Sequence, residues 1–289
     1  MLRALFYLRT PRLTITGALP CQNFELLLIL HLLGAIVQKS SRRGVYIMFV
    51  GFRDRTACLY HYTSIRVLLE HILPTNKLKA GRYVNTNDPK ESKDWFFSVG
   101  TNTDIDLGKY DLQGLSDEMA RGMKHKTNVL CFSQDRELTG NHIEDIHNRG
   151  FCRPRMWVQY AENHAGVCLI IEREALQRAV NSAFPHHRIY EGPVIYTNRS
   201  GVPDLSTSPY IINVDYLERY GQQKYLEDHI YMYHKRLFFE KCTDWRDEVE
   251  YRWVLLGNKE QDLFFDFQDA LRGIVFGVSC LESDIERIV

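Results

Sequence analysis

Trp245-Arg246-Asp247-Glu248-Val249-Glu250-Tyr251-Arg252-Trp253-Val254-Leu255-Leu256 decides how this chain is read. Taken as a strand over Glu248 to Leu256, it puts Glu248, Glu250 and Arg252 on one face and Val249, Tyr251 and Trp253 on the other, because successive side chains of a strand point to opposite sides. Two carboxylates and a guanidinium in a row, running into an apolar stretch, have the look of a site. A solvated strand edge with a cross-paired arginine accounts for the same pattern equally well.

Around this stretch the chain reads as alternating strands and helices. Ala57–Tyr62 reads as a strand, and Ser64 caps a short helix whose Ile65, Leu68, Leu69 and Ile72 recur at helical spacing until Pro74 ends it. Lys77–Ala80 is a short extended piece. In Asn87-Asp88-Pro89-Lys90-Glu91, Asp88 is placed to cap a helix with Pro89 at its first position, and Glu91 falls where a capping box closes, so the motif has a complete structural explanation. Asn128–Ser133 and Val167–Ile171 read as buried strands. Arg155–Asn163, Glu174–Ala183 and a long Tyr216–Phe239 segment read as helices, and Pro193–Tyr196, Leu263–Phe267 and Ile274–Gly277 as further strands. The connections are too short or too irregular for regular βαβ crossovers, so the expected class is α+β with a mostly antiparallel central sheet and flanking helices.

Composition bounds the partners. The 36 basic residues balance 36 acidic ones, so no global field recruits nucleic acid or an anionic membrane. Seven scattered cysteines without a CxxC do not form a secreted disulfide framework, which points to a cytoplasmic protein. Residues 1–47 differ in character: Arg3, Arg9 and Arg12 precede an apolar run from Phe24 to Val37, with Lys39, Arg42 and Arg43 after it. That run is interrupted by Glu25 and His31 and is shorter than the roughly 20 residues a membrane span needs. Three readings stand for it: a membrane-associating leader, a helix packed on the main domain, or translated upstream sequence. The last is preferred, with Met48 as the start of a single α+β domain over 48–289.

A family resemblance gathers these pieces. Leu59-Tyr60-His61-Tyr62-Thr63, the Asn-Asp-Pro-x-Glu loop, Cys131-Phe132-Ser133, the run from Met156-Trp157 through Tyr160, Asn163, His164 and Gly166 to Leu169, and Trp245-x-x-Glu248-x-Glu250-x-Arg252 together resemble a bacterial family known only as domain of unknown function 2971. The likeness spans Leu59 to Gly277. It implies a longer closing segment than the one ending at Val289, so a truncated C-terminus is expected.

A more distant likeness supplies chemistry. A strand ending in His61-Tyr62-Thr63, then a short helix and a short strand, is similar in layout to the opening of ADP-ribosyltransferases. The resemblance implies NAD as substrate, His61 on a ribose hydroxyl, Tyr62 or Tyr160 as the aromatic face for nicotinamide, Thr63 beside it, Glu250 as catalytic acid, Glu248 on the acceptor side, and Arg252 on the diphosphate or holding Glu250. The acceptor, whether protein, nucleic acid or water, stays open. Cleaving the nicotinamide–ribose bond passes through an oxocarbenium-like state, which a nearby carboxylate stabilises. Core packing for Tyr160 and a satisfied core histidine at His61 are equally complete accounts of those residues.

Other chemistries have less behind them. No HExxH, GxGxxG, GxxxxGK[ST] or GxSxG occurs. A metal-dependent nuclease would need Asp88, Glu91, Glu248 and Glu250 to converge. A non-catalytic nucleotide- or RNA-binding module would use Arg149, Arg153 and Arg155 with Phe151 and Trp157 as a phosphate-and-stacking surface.

Overall fold

The computed structural model describes residues 57–139, 142–198, 208–257 and 259–288. The leader at residues 1–47 and its proposed boundary at Met48 lie outside them. The described residues contain twelve strands: β1 (Cys58–Thr63), β2 (Lys77–Arg82), β3 (Ser98–Gly100), β4 (Thr127–Gln134), β5 (Val167–Glu172), β6 (Arg188–Pro193), β7 (Ile195–Thr197), β8 (Ile211–Asn213), β9 (Glu240–Cys242), β10 (Glu250–Leu256), β11 (Leu263–Asp266) and β12 (Leu271–Phe276). Eight of them form one sheet whose pairings are all antiparallel, and β3 with β8 and β7 with β9 form two small parallel pairs. The expected α+β class with a mostly antiparallel sheet is therefore the one observed.

Strand β4 is the axis of this sheet. One of its edges pairs with β10 along its length, from Glu250 opposite Ser133 to Leu256 opposite Thr127. Its other edge is shared: β1 meets it at Tyr60 opposite Ser133, and β2 meets it at Gly81 opposite Val129. Leu130, Cys131 and Phe132 are left between the two, so the sheet is split at its centre.

The alternation of side chains then makes three apolar clusters, one on one face of the sheet and two on the other. On one face Leu59, Leu130, Phe132, Leu169 and Trp253 pack under Ile65, Leu68 and Ile72 and under the helix Arg173–Ala183, which presents Leu176 and Val180. The opposite face carries two separate clusters. Tyr60, Tyr62 and Cys168 pack with Met156 and Trp157 of the helix Pro154–Tyr160. Val129 and Val254 pack with Met119 and Met123 of Leu112–Lys124 and with Leu237 and Phe238 of Gln222–Phe238. Where these two clusters part, the split in the sheet opens into a cavity.

Several elements depart from the sequence reading for definable reasons. The strand expected from Glu248 begins at Glu250: Thr243–Glu248 is a 3-10 segment, and Val249 takes a left-handed conformation with φ of 44° between the two glutamates. The long helix is two, Val214–Tyr220 and Gln222–Phe238, broken at Gly221, whose φ of 77° suits glycine. Leu112–Lys124 was not anticipated, although Asp111 caps it by accepting from the Gly114 amide at 3.0 Å. The Arg155–Asn163 helix stops at Tyr160, and Glu162, Asn163 and His164 follow with φ between 48° and 72°.

This left-handed run lets Gly166 sit against the start of β5, where an added Cβ would lie 2.4 Å from the Thr63 carbonyl oxygen and 2.9 Å from the Ala161 backbone. Backbone cannot yield as a side-chain tip can. Gly166→Ala is therefore expected to cost about 1–3 kcal/mol of stability, as overpacking of a tight site does, read as a lower midpoint in urea unfolding; an unchanged midpoint would contradict the close approach.

Candidate active site

The cavity at the split encloses about 370 Å³, at the small end of ligand pockets. His61 closes one side: it is the first residue of β1 beyond the pairing with β4, and its ring lies against that of Phe132 across the gap. Burial pushes its imidazole below the ordinary range, so the ring is neutral near pH 7. The opposite wall is a cluster of charge that three elements deliver. Glu91 comes from the short helix Pro89–Ser92, Lys241 from β9, and Glu248 and Glu250 from the bend into β10.

That bend is held by hydrogen bonds to its main chain. Ser133 Oγ donates to the Glu248 carbonyl at 2.7 Å, the Gln134 amide donates to the Val249 carbonyl at 2.9 Å, and the Glu250 amide donates to Tyr196 Oη at 2.9 Å. Behind the wall lies Arg252, fully buried. Its Nε donates to Glu250 Oε1 at 2.7 Å and its Nη2 to Oε2 at 2.6 Å, a bidentate pair, while Nη1 reaches Glu91 Oε1 at 2.5 Å and the Phe238 carbonyl at 2.8 Å. Lys241 Nζ completes the network, 2.9 Å from Glu248 Oε2 and 2.8 Å from Glu250 Oε2. Three carboxylates thus face two cations, leaving the fully ionised cluster with one net negative charge at the cavity wall.

The two neighbouring glutamates are not equivalent. Burial would raise the Glu250 carboxyl, but Arg252 and then Lys241 override it and hold it well below the usual carboxylate range. Both of its oxygens are committed. Burial pushes the Glu248 carboxyl up, Lys241 only partly offsets this, and the charge on Glu250 adds to the rise. Glu248 Oε1 accepts from the Tyr160 hydroxyl at 2.8 Å. Glu250 is therefore a fixed anion and Glu248 the proton-exchanging member of the pair.

Of the residues singled out from the sequence, His61, Tyr62, Tyr160, Glu248 and Glu250 line the one cavity. Thr63 does not; it is buried at the end of β1, paired with Val167 of β5. Arg252 does not either, and with its guanidinium spent on Glu250, Glu91 and Phe238 it has no role on a diphosphate. Tyr62 is locked by donating to the Gly150 carbonyl at 2.6 Å and by its edge-on contact with Trp157, so Tyr160 is the better aromatic wall.

Asp88 caps as expected, accepting from the Lys90 amide at 2.9 Å, but Glu91 does not close a capping box. It turns inward to Arg252, a correction to the purely structural reading of that motif. The loop carrying it is pinned by buried Lys124, which donates to the Lys90 and Lys93 carbonyls and lies over the Trp95 ring; burial lowers its ammonium to about 8. Lys241 had no sequence signal at all, being a lone lysine in a three-residue strand.

Two alternatives lose their footing. Of the four carboxylates a nuclease site would need, Glu91, Glu248 and Glu250 converge, but on Lys241 and Arg252, while Asp88 stays apart as the cap of Pro89–Ser92; among the described residues no group of three or more His, Cys, Asp or Glu is arranged to hold a metal ion. The arginine-and-aromatic surface is not a surface: Phe151, Trp157 and Arg153 are buried, Arg149 pairs with Asp135 at 2.7 Å, and Arg155 caps the Asp244 carbonyl. No helix among the described residues is long and apolar enough to cross a membrane.

Comparison with known proteins agrees with the motifs. Residues 156–253, from Met156 of the cavity wall to Trp253 of β10, match the model of a family described as protein of unknown function (DUF2971). No curated protein and no solved structure matches the chain.

The unequal glutamates give a test by unfolding. Glu250→Gln leaves Arg252 buried without its bidentate partner and is expected to cost about 3–5 kcal/mol near pH 7. Because the Glu250 carboxyl is depressed in the folded state, its contribution is present above the unfolded value of about 4.3 and is lost as pH falls through the lower folded value. The deficit of the variant should accordingly shrink only in acid. Glu248 has the opposite sign: its contribution is full below about 4.3 and lost as pH rises through the raised folded value. Glu248→Gln should therefore match or exceed the wild type in melting temperature near pH 7; equal large losses for both variants would contradict the assignment.

Proposed function

We propose that this chain, a member of the DUF2971 family through residues 156–253, cleaves the bond between nicotinamide and ribose in NAD and passes the ADP-ribosyl group to an acceptor or to water. The family description names no activity, so the reading rests on the site. The observation that carries it is the meeting of His61, from the first strand, with Glu248 and Glu250, from the bend into the tenth, in one cavity, the two carboxylates lying on either side of Lys241.

The chemistry asked of the site is modest in kind. The C1′–N bond breaks with its electron pair leaving on nicotinamide, which departs neutral and needs no proton. The ribosyl carbon is left with oxocarbenium character, which the carboxylate of Glu250, held ionised, stabilises. An acceptor hydroxyl or water then forms the new bond to C1′ and gives up its proton. Glu248 is the base suited to take it, since its raised carboxyl sits closer to working pH than an ordinary glutamate.

Each remaining wall residue has a part. Neutral His61 offers a ring nitrogen to a ribose hydroxyl, Tyr160 presents an aromatic face while orienting Glu248, and Glu250 with Lys241 and Arg252 keeps the wall rigid. The six cysteines described are all unbridged, which suits the reducing cytoplasm in which NAD is abundant.

Incubation with NAD and quantification of free nicotinamide tests the proposal. The wild type should release it, and Glu248→Gln should slow release by about 10²-fold or more, the usual worth of a positioned acid–base group. A wild type that releases none, or a variant that is as fast, would sink the reading.

A further inference from the structure

Two residues that line this cavity each carry a buried side-chain atom with no hydrogen-bond partner among the described residues, and the two atoms are of opposite kind. One is a donor, Arg82 Nε. The other is an acceptor, Glu91 Oε2, on a side chain only 1% exposed. Lys241 Nζ stands 4.0 Å from it, beyond hydrogen-bonding reach, and Arg252 bonds the other oxygen of the carboxylate. Unpaired buried groups are uncommon because they forfeit hydration without compensation, and a donor and an acceptor left so in one cavity call for a ligand that supplies both complements.

The surroundings of Arg82 say which complement it wants. Arg82 and Lys79 lie three positions apart on β2, and both line the cavity. Asp262 holds them there: its Oδ1 accepts from the Arg82 amide at 3.1 Å, and its Oδ2 lies 3.4 Å from Lys79 Nζ. The Arg82 fork is otherwise tied only to Glu260 at 2.9 Å, in an ion pair open to solvent that is readily exchanged. A guanidinium with an uncommitted nitrogen and a loosely held ammonium on the same lining suit anionic oxygens. Glu91, a carboxylate, asks instead for a hydroxyl.

We propose that the cavity recognises a ribose 5′-phosphate unit, its phosphate oxygens on Arg82 and Lys79 and a ribose hydroxyl donating to Glu91 Oε2. This deepens the reading above, since it fixes which way the dinucleotide lies: phosphate toward β2, glycosidic carbon toward Glu248. Glu91 is thereby a substrate-binding residue as well as a partner of Arg252.

Calorimetric titration of the full chain with nicotinamide mononucleotide and with nicotinamide riboside, which differ only by the 5′-phosphate, tests this. The wild type is expected to bind the mononucleotide about tenfold more tightly or better, the worth of one charge-assisted contact. Arg82→Gln should remove most of that preference and leave riboside binding unchanged. Lys79→Gln, at an exposed side chain where folding is not at stake, should reduce the preference as well. Equal binding of the two ligands, binding of neither, or an Arg82→Gln variant that weakens both alike would overturn the proposal. Catalysis is judged separately: a phosphate preference without nicotinamide release leaves this inference standing and the proposed reaction refuted, and release with no phosphate preference does the reverse.

Discussion

A guanidinium buried at the centre of the protein governs the rest of the site. Arg252 has no water to solvate it, and the cost of taking an isolated cation out of water is several kcal/mol even after relaxation. It persists because Glu250 grips it with both oxygens and Glu91 and the Phe238 carbonyl take what remains. Once Arg252 is fixed, Glu250 is fixed, and so is Lys241, which bridges Glu250 to Glu248. The stretch from Phe238 to Arg252 and the distant Glu91 are drawn to one point. The arrangement commits Glu250 to structure and releases Glu248, two residues earlier, for proton exchange.

The split sheet supplies the space that this cluster faces. Had β1 continued along β4, or β2 extended one turn further, Leu130 to Phe132 would be covered and the cavity closed. β1 instead commits to β5 along its full length, and β2 to β11. Separate apolar clusters on either side of the opening keep its walls apart, one built on Trp157 and the other on Phe238. Rigid elements thus hold each polar side chain of the site, which is what a reacting centre needs to avoid paying for order at each turnover.

Much of this was legible in the sequence. Buried runs such as Asn128–Ser133 and Val167–Ile171 declare strands, and carboxylates flanking an arginine before Trp253 announce a charged cluster. What was not legible depends on contacts across the fold. Glu248 and Glu250 look like partners on one strand face, yet a left-handed Val249 separates them, a backbone choice that no propensity of valine suggests. Glu91 carries a complete local explanation as a capping residue, and only Arg252, 161 positions away, overrides it. Lys241 stands in no pattern. Of the two roles implied for Arg252, on the diphosphate or holding Glu250, its burial and bidentate pair realise the second, and the sequence left both open because spacing gives the face of a side chain but not its depth.

The most direct measurement is a crystal structure of the Glu248→Gln variant soaked with NAD. The ribose next to nicotinamide is expected between His61 and position 248, with its phosphate against Arg82 and Lys79. A dinucleotide found elsewhere on the protein, or a cavity still empty at saturating concentration, would contradict the account.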